Sequence, residues 1–150
     1  MEKITLILNT AKQRARDMKL PYAGALLPEE AHQLLQAKPT AKLVDVRTRA
    51  ECDWVGRVPN AIEIEWQSYP SMQRNEQFLV QLEQAISKEV LVCFLCRSGG
   101  RSGAAAAAAT QAGYTECYNV LEGFEGDKDE ESHRSLKNGW QAKKLPWSQS

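Results

Sequence analysis

The sequence predicts an α/β fold, a single domain with a central parallel β-sheet and helices on both of its faces. Two observations support this prediction. Short apolar segments alternate along the chain with longer segments whose apolar residues recur at helical spacing. Residues 90–95 form one continuous apolar run, which is typical of a strand that a parallel sheet buries on both faces. The length of 150 residues fits one domain with a core of its own.

Each predicted helix has a local signal. Residues 2–19 carry apolar side chains on one helix face, namely Ile4, Ile7, Leu8, Ala11, Ala15 and Met18. Pro28 suits the first position of a helix over residues 28–37, and Glu29 and Glu30 favour the positive end of that helix. The remaining helices are predicted over residues 49–54, 73–87 and 102–112.

The predicted strands lie between these helices and span residues 23–27, 43–46, 61–64, 90–95 and 117–121. The alanines at 104–109 favour a helix, and their small volume allows that helix to approach the sheet closely. We divide the chain into an N-terminal amphipathic helix extension, residues 1–22, and the α/β domain, residues 23–150. The N-terminal helix either packs on the domain or serves an interface.

Composition and charge exclude several classes of protein. The chain has 19 Lys and Arg residues and 19 Asp and Glu residues, so nothing indicates a nucleic-acid partner. No apolar run is long enough to span a bilayer, and the N-terminus lacks the apolar region of a signal peptide. Four cysteines are too few for a disulfide scaffold in a chain of this length. We therefore expect a cytoplasmic protein without membrane or nucleic-acid partners.

The most informative segment is the loop from Cys96 to Arg101, which reads Cys-Arg-Ser-Gly-Gly-Arg and which we call the cysteine loop. It lies between the predicted strand 90–95 and the predicted helix 102–112. Backbone N–H groups converge at a helix N-terminus and stabilise an anion there. This position favours the thiolate of Cys96, which is the nucleophilic form of cysteine.

The other residues of the cysteine loop also fit an anion site. Arg97 and Arg101 add positive charge, and Gly99 and Gly100 allow the unusual backbone angles of a tight loop with inward N–H groups. A cysteine-based phosphatase needs one residue more between its cysteine and its arginine, because a phosphate requires a wider ring of N–H groups. The loop is therefore too short for that class of enzyme.

The cysteine loop closely resembles the active-site loop of the rhodanese-type sulfurtransferases. Residues 42–66 extend the resemblance, with a strand ending in Asp-x-Arg and then a segment similar to Gly-His-Ile-Pro-Gly-Ala. The matching residues are Asp45, Arg47, Glu51, Gly56, Pro59 and Ala61. Arg57 and Asn60 depart from this pattern, although Asn60 can adopt the left-handed backbone that glycine serves in a turn. The closing segment 138–147 is also similar to the family, with Lys144 in place of a glycine.

The resemblance implies a role for each residue of the site. Cys96 is the catalytic nucleophile, which accepts a sulfane sulfur and becomes a persulfide. The substrate-binding residues are Arg97, Ser98, Gly99, Gly100 and Arg101. Asp45 and Arg47 support the site, and Asp45 is the candidate partner of one of the loop arginines. The implied partners are a small anionic sulfur donor such as thiosulfate and an acceptor, which is a thiol or cyanide. The acceptor thiol can also belong to a protein. Neither a cofactor nor a metal is expected.

Two other functions stay open at this point. Cys93 and Cys96 form a Cys-x-x-Cys pair, which is typical of thiol–disulfide oxidoreductases. If residues 90–95 are a strand, the two side chains point to opposite faces, and Cys93 is a core residue. The second alternative is a non-enzymatic persulfide carrier or interaction module with a protein partner. Segment 122–139 is either a lid or acceptor-docking loop beside the site, or a solvated surface loop.

Overall fold

The computed structural model describes residues 2–149. Met1, where the predicted extension begins, and Ser150, where the predicted domain ends, lie outside the described residues. The helices are α1 (Glu2–Met18), α2 (Pro28–Ala37), α3 (Arg49–Val55), α4 (Phe78–Ala85) and α5 (Gly100–Gln111). The strands are β1 (Gly24–Leu26), β2 (Lys42–Asp45), β3 (Ile62–Glu63), β4 (Gln67–Ser68), β5 (Gln73–Arg74), β6 (Val92–Leu95) and β7 (Cys117–Val120). The predicted α/β fold is confirmed.

The central sheet is parallel throughout, in the strand order β1-β7-β6-β2-β3. β6 lies at its centre, with Phe94 opposite Val44 of β2 on one side and opposite Asn119 of β7 on the other. Because these strands are parallel, their carboxyl ends meet at one edge of the sheet. Open α/β sheets place their ligand sites at that edge.

Helices cover both faces of the sheet, as predicted, and each face has its own core. The core under α1 and α2 contains Ile7, Ala11, Leu34, Leu43, Cys93, Leu95, Tyr118 and Trp140, among others. The core under α4 and α5 contains Val44, Phe78, Leu82, Phe94, Cys96, Ala105 and Ala109, among others. The alanines of α5 that face the sheet are fully buried, so their small size lets this helix lie close to β6 and β7.

The N-terminal helix α1 packs on the domain. Its buried residues Ile7, Ala11 and Ala15 face the sheet beside β1. Gly24 makes this close approach feasible, because a Cβ there would lie 2.6 Å from the Tyr118 ring and 2.9 Å from the backbone of Ala11. Of the two roles left open by the sequence, the structure supports packing, while the division of the chain at residue 22 stays a prediction.

The prediction of one helix over residues 73–87 was wrong in its first part. Residues 73–74 are β5, which pairs antiparallel with β4 in a small hairpin, and α4 begins only at Phe78. Asn75 ends the hairpin, because its side chain donates to the carbonyl oxygen of Glu65 at 2.8 Å and accepts from the N–H of Gln77 at 3.0 Å. The helix predicted from residue 102 also begins earlier, at Gly100.

Segment 122–139 contains neither helix nor strand, but its first part is not a solvated loop. Phe124 is fully buried in the core under α1 and α2. The N–H groups of Trp140 and Gln141 donate to the carbonyl oxygens of Gly123 and Phe124 at 2.9 and 3.1 Å. The closing segment therefore holds residues 122–126 in place, and most of residues 127–133 are exposed. Within residues 2–149, no helix has both the length and the apolar character needed to cross a membrane.

Candidate active site

Cys96 lies directly after β6, at the edge where the carboxyl ends of the strands meet. Its Sγ accepts a hydrogen bond from the N–H of Gly99 at 3.1 Å and lies 3.3 Å from the hydroxyl oxygen of Ser102. Both partners belong to the start of α5, where N–H groups have no acceptor within the helix. The sulfur thus lies at the positive end of the α5 dipole. Cys96 is only 1% exposed, so its sulfur is at the floor of the site.

The two glycines of the cysteine loop have different roles. Gly99 has φ of +112° and is the N-cap of α5, so its backbone is one that other residues rarely adopt. Gly100 is the first residue of α5, does not have a positive φ, and has no atom within 4 Å of the position of a Cβ. The expectation that both glycines serve an unusual backbone is therefore wrong for Gly100. Ser98 lies on the exposed side of the loop.

Arg101 forms a two-point ion pair with Glu51 of α3. Its Nη1 and Nη2 atoms donate to Glu51 Oε1 and Oε2 at 2.7 and 2.8 Å. Glu51 is fixed from the other side by Thr48, whose N–H donates to it at 3.1 Å in the capping box of α3. Burial raises the pKa of Glu51, but Arg101 and Thr48 outweigh it and bring that pKa to about 2. The cysteine loop is thus tied to α3 by a carboxylate that stays ionised.

Asp45 does not partner either loop arginine, and this prediction was wrong. Both Asp45 and Arg47 are buried at the end of β2, where Arg47 Nη2 donates to Asp45 Oδ2 at 2.7 Å and to the carbonyl oxygen of Gly56 at 2.8 Å. The Arg47 guanidinium also lies over the ring of Phe124, 4.1 Å from its centroid. Burial lowers the pKa of Arg47, but Asp45 outweighs it, so that the pKa is raised. The pair joins the end of β2 to Gly56 at the end of α3 and to Phe124.

Arg97 has a looser partner than Arg101. Its Nε lies 3.2 Å from Oε2 of Glu125, and about half of the Arg97 side chain is exposed. The backbone of the same segment is bound tightly: the N–H of Phe124 donates to the carbonyl oxygen of Cys96 at 2.8 Å, and the N–H of Glu125 to that of Arg97 at 3.0 Å. Gly123 permits this contact, because a Cβ there would lie 2.6 Å from the Arg97 carbonyl group.

A buried polar network lies behind the sulfur. The Ser102 hydroxyl oxygen is 2.5 Å from Asn119 Oδ1 and 3.2 Å from the carbonyl oxygen of Gly99. Asn119 Nδ2 donates to the same carbonyl oxygen at 3.2 Å and to the hydroxyl of Tyr22 at 3.4 Å. Neither Ser102 nor Asn119 is among the site residues that the sequence predicts. The only local signal for them is a polar residue at the carboxyl end of β7, inside an otherwise apolar strand.

A pocket of about 300 Å³ opens beside the cysteine loop, and we call its rim the site mouth. The lining residues are Thr48, Glu51, Val55, Tyr69, Met72, Arg97, Arg101 and Glu125. The lining thus combines charged side chains with apolar ones. Among residues 2–149, no group of three or more His, Cys, Asp or Glu side chains is arranged to hold a metal ion.

The other cysteines lack the surroundings of Cys96. Cys93 lies in the core under α1 and α2 and Cys96 in the core under α4 and α5, so the two side chains are on opposite faces of the sheet, as predicted. Burial, with a smaller effect of Cys117, raises the pKa of Cys93 to about 12. Burial also raises the pKa of Cys52 to about 12 and that of Cys117 to about 11. These thiols stay protonated at neutral pH, which counts against a redox pair of Cys93 and Cys96.

A second cavity, of about 810 Å³, lies on the far side of α3 and is lined by charges of both signs. Arg57, which departs from the family pattern, lies there and donates to Asp53 Oδ1 at 2.6 Å and to Glu63 Oε2 at 2.8 Å. The pKa of Arg57 is raised by Glu63 and Asp53. Arg57 thus changes local ion pairing outside the site mouth.

A cysteine between a central parallel strand and a helix N-terminus has counterparts in known proteins. Residues 27–130 match the family model described as the rhodanese-like domain. The chain belongs to this family. It is a family of the sulfurtransferase type, and the resemblance seen in the sequence is confirmed. Asn60 and Lys144, which depart from glycine in the sequence pattern, have φ of +67° and +59°, so both lie in the left-handed region that favours glycine.

Individual relatives agree with the family match. An uncharacterized protein of Rickettsia rickettsii is 37% identical over 120 residues, which are 79% of this chain and 91% of that protein. The crystal structure of the Rv0390 protein from M. tuberculosis is 44% identical with a TM-score of 0.79, and the match covers 86% of this chain and 99% of that one. The polysulfide-sulfur transferase homodimer from Wolinella succinogenes is 20% identical with a TM-score of 0.61, covering 95% of this chain and 89% of that one. At 20% identity the similarity shows the fold alone.

Proposed function

We propose that this protein is a sulfurtransferase that moves a sulfane sulfur from a small anionic donor to a thiol or to cyanide through a persulfide on Cys96. The observation that carries the proposal is the set of donors around one sulfur. At the N-terminus of α5, the N–H of Gly99 donates to Cys96 Sγ at 3.1 Å, and the hydroxyl oxygen of Ser102 lies 3.3 Å from the same sulfur, where it can donate to a thiolate. Hydrogen bonds of this kind are strongest to a negative sulfur and so favour the nucleophilic thiolate.

The first step is a displacement at sulfur. The Cys96 thiolate attacks the outer sulfur of a donor such as thiosulfate and forms a new S–S bond. The bond between that sulfur and the sulfonate breaks, and sulfite leaves with the electron pair. The N–H groups at the start of α5 then hold the outer sulfur of the persulfide, because they have no acceptor within the helix.

The second step returns the enzyme to its first state. An acceptor thiolate, or cyanide, attacks the outer sulfur of the persulfide, and the bond to Cys96 breaks. The product is a persulfide of the acceptor, or thiocyanate, and Cys96 leaves as a thiolate. No oxidant, reductant or cofactor is consumed over the two steps.

The two loop arginines have different roles in this proposal. Arg101 is held at two points by Glu51, so it acts as a fixed wall of the pocket. Arg97 has a single, longer contact with Glu125 and is half-exposed, so it can turn to an incoming anion at little cost. Because Glu51 occupies the guanidinium of Arg101 at two points, the attraction for the donor comes mainly from Arg97 and from the N–H groups of the helix.

The test is the formation of thiocyanate from thiosulfate and cyanide by the wild type, Cys96→Ser and Cys117→Ala. Cys117→Ala is the matched control, since it also removes a buried thiol of the same core. We expect turnover in the wild type and in Cys117→Ala and none in Cys96→Ser. Intact mass after incubation with thiosulfate or polysulfide should increase by one sulfur atom only where Cys96 is present. Turnover by a folded Cys96→Ser variant would refute the proposal.

One observation favours a protein as the acceptor. Tyr69 lines the pocket and is 55% exposed, and its ring packs edge to face against Trp54, which is 65% exposed, with centroids 5.5 Å apart. Met72 adds an exposed apolar side chain beside them. Aromatic residues and Met are enriched where proteins bind each other, and large exposed aromatics beside a site are costly without a partner. We therefore propose that the acceptor thiol has apolar neighbours that contact Trp54 and Tyr69.

Two peptide acceptors test this second proposal. Both carry one cysteine, flanked by leucines in the first peptide and by serines in the second. We expect Trp54→Ala to lower the ratio of kcat/KM for the leucine peptide to that for cyanide by about fivefold, as for the loss of a contact residue. Leu6→Ala, an exposed apolar residue of α1, is the control and should leave the ratio unchanged. An unchanged ratio in Trp54→Ala would show that the acceptor does not contact this surface.

A further inference from the structure

We propose that Asn119 is a positioning residue for Cys96: its side-chain oxygen competes with the sulfur for the single hydroxyl proton of Ser102. The network of these three residues is fully inside the protein, since Ser102 and Cys96 are buried and Asn119 is 4% exposed. The consequence for turnover rests on the proposed function. The competition itself is a property of the thiol and can be measured without any sulfur donor.

The Ser102 hydroxyl has one proton to donate and three neighbours that can accept it. These are Asn119 Oδ1 at 2.5 Å, the carbonyl oxygen of Gly99 at 3.2 Å and Cys96 Sγ at 3.3 Å. The first two can only accept, whereas the sulfur accepts as a thiolate and donates as a thiol. Ser102 can therefore donate to only one of them at a time.

The orientation of the Asn119 amide is fixed by its other contacts. The carbonyl oxygen of Gly99 cannot donate, so the atom that faces it at 3.2 Å must be the amide nitrogen. The same nitrogen faces the hydroxyl of Tyr22 at 3.4 Å. This leaves the amide oxygen turned towards Ser102. Asn119 thus also braces Gly99, whose N–H donates to the sulfur.

Two arrangements of the network follow. When Cys96 is a thiol, its S–H donates to Ser102, and Ser102 donates to Asn119 over the shortest distance of the network. When Cys96 is a thiolate, the sulfur needs the Ser102 proton, and Asn119 Oδ1 loses its donor inside the protein. A buried acceptor without a donor is costly, so Asn119 makes the thiolate less stable than Ser102 and Gly99 alone would. The result is a sulfur that is more basic and a stronger nucleophile once deprotonated.

The charged groups around Cys96 are Arg101 of α5, Glu51 of α3, the Arg97–Glu125 pair and the Asp45–Arg47 pair at the end of β2. The side chain of Asn119 is hydrogen-bonded to Ser102, Tyr22 and Gly99 and to none of these charged groups. Burial raises the pKa of Tyr22 more than Asn119 lowers it, so this hydroxyl stays neutral near pH 7. Substitution of Asn119 therefore leaves these charges in place, and a change in the pH profile of Cys96 reports on the network.

The experiment measures the rate of alkylation by iodoacetamide against pH for Asn119→Leu, Ser102→Ala and the double variant. Asn119→Leu removes the competitor at nearly constant shape and should move the midpoint to lower pH by about one unit, the size of one hydrogen bond to a charged group. Ser102→Ala removes the donor and should move the midpoint to higher pH by a similar amount. The midpoint of the double variant should lie at or above that of Ser102→Ala, because no Ser102 proton is left for Asn119 to withdraw and the hydrogen bond from Asn119 to Gly99 is also lost. The rate at the upper plateau should fall about threefold in Asn119→Leu, as a less basic thiolate is a weaker nucleophile.

A purely structural role of Asn119 predicts a different result, since damage to the site would shift the midpoints of both single variants in the same direction. That outcome, or an unchanged midpoint in Asn119→Leu, would overturn the inference. Asn119→Ala removes the same competing oxygen in a smaller side chain and should also move the midpoint to lower pH. This second variant replaces Asn119→Leu in the experiment if the leucine variant does not fold. Cys96→Ser gives the background alkylation. Because the assay needs no donor, failure of sulfur transfer would leave these shifts, and the inference, intact.

Discussion

The ion pair between Glu51 and Arg101 makes a strong prediction, because it ties the cysteine loop to α3. Glu51→Gln keeps the shape of the side chain and removes the charge that Arg101 binds. The neutral amide can accept only one of the two guanidinium bonds, and Arg101 is left partly buried without a counter-charge. We therefore expect the variant to be less stable at neutral pH and its cysteine loop to be less well fixed.

The magnitude follows from the pKa of Glu51, which folding lowers from 4.5 to about 2. At about 1.4 kcal/mol for each pH unit, the shift corresponds to about 3 kcal/mol, which partial exposure of the pair reduces to about 2 kcal/mol. Because the folded pKa is lowered, this stability is fully present above pH 4.5 and is lost as the pH falls towards 2. At low pH, protonated Glu51 resembles Gln, and the wild type and the variant should converge.

Urea unfolding at about pH 7, 5, 4 and 3 measures this difference directly. Glu83→Gln is the control, since Glu83 forms an exposed ion pair with Lys88 at 3.5 Å that should contribute less than about 1 kcal/mol. The reasoning is refuted if Glu51→Gln and the wild type differ by the same amount at every pH, or if Glu83→Gln shows the larger effect.

Three further predictions use single substitutions. Gly123→Ala should destabilise the protein by about 3 kcal/mol and lower sulfur transfer, because the new Cβ meets the Arg97 carbonyl group; Gly100→Ala, in open space, should be neutral or slightly stabilising. Equal unfolding midpoints for the two variants would contradict this. Lys144→Gly should stabilise the protein by about 0.5 kcal/mol, because glycine adopts the left-handed backbone of this exposed position without strain. A thermal unfolding midpoint below that of the wild type would contradict this. Cys93→Ala should keep the kcat for thiocyanate formation, because Cys93 is a core residue. A loss of this activity in the variant would favour a redox pair of Cys93 and Cys96 instead.

The sequence predicts well whatever depends on local pattern. The continuous apolar run of β6 indicated a central strand, and the glycine-rich turn into the alanine helix located Cys96 at the start of α5. Asn60 was predicted to replace a glycine in a left-handed turn, and its φ of +67° confirms this. In each case neighbouring residues determine the conformation, so a short segment contains the information.

The partners of the site residues depend on contacts across the fold, and these the sequence did not reveal. Glu51 is far from Arg101 along the chain, and Glu125 from Arg97, so only the packing of α3 and of residues 122–126 around the loop brings them together. The polar hairpin of β4 and β5 was missed for a related reason. Its pairing residues Gln67, Ser68, Gln73 and Arg74 have no alternation of apolar and polar side chains to mark a strand.

The hydrogen bonds that join distant chain segments around Cys96 have a consequence for when the site forms during synthesis. The carbonyl oxygen of Cys96 is bound by Phe124, and Gly123 beside it is bound by Trp140. A chain that leaves the ribosome from its N-terminus exposes Cys96 well before Trp140 is available to complete these contacts. Cys96 therefore gains its final surroundings only late in translation. Until then, its thiol is an ordinary cysteine of an unfinished chain.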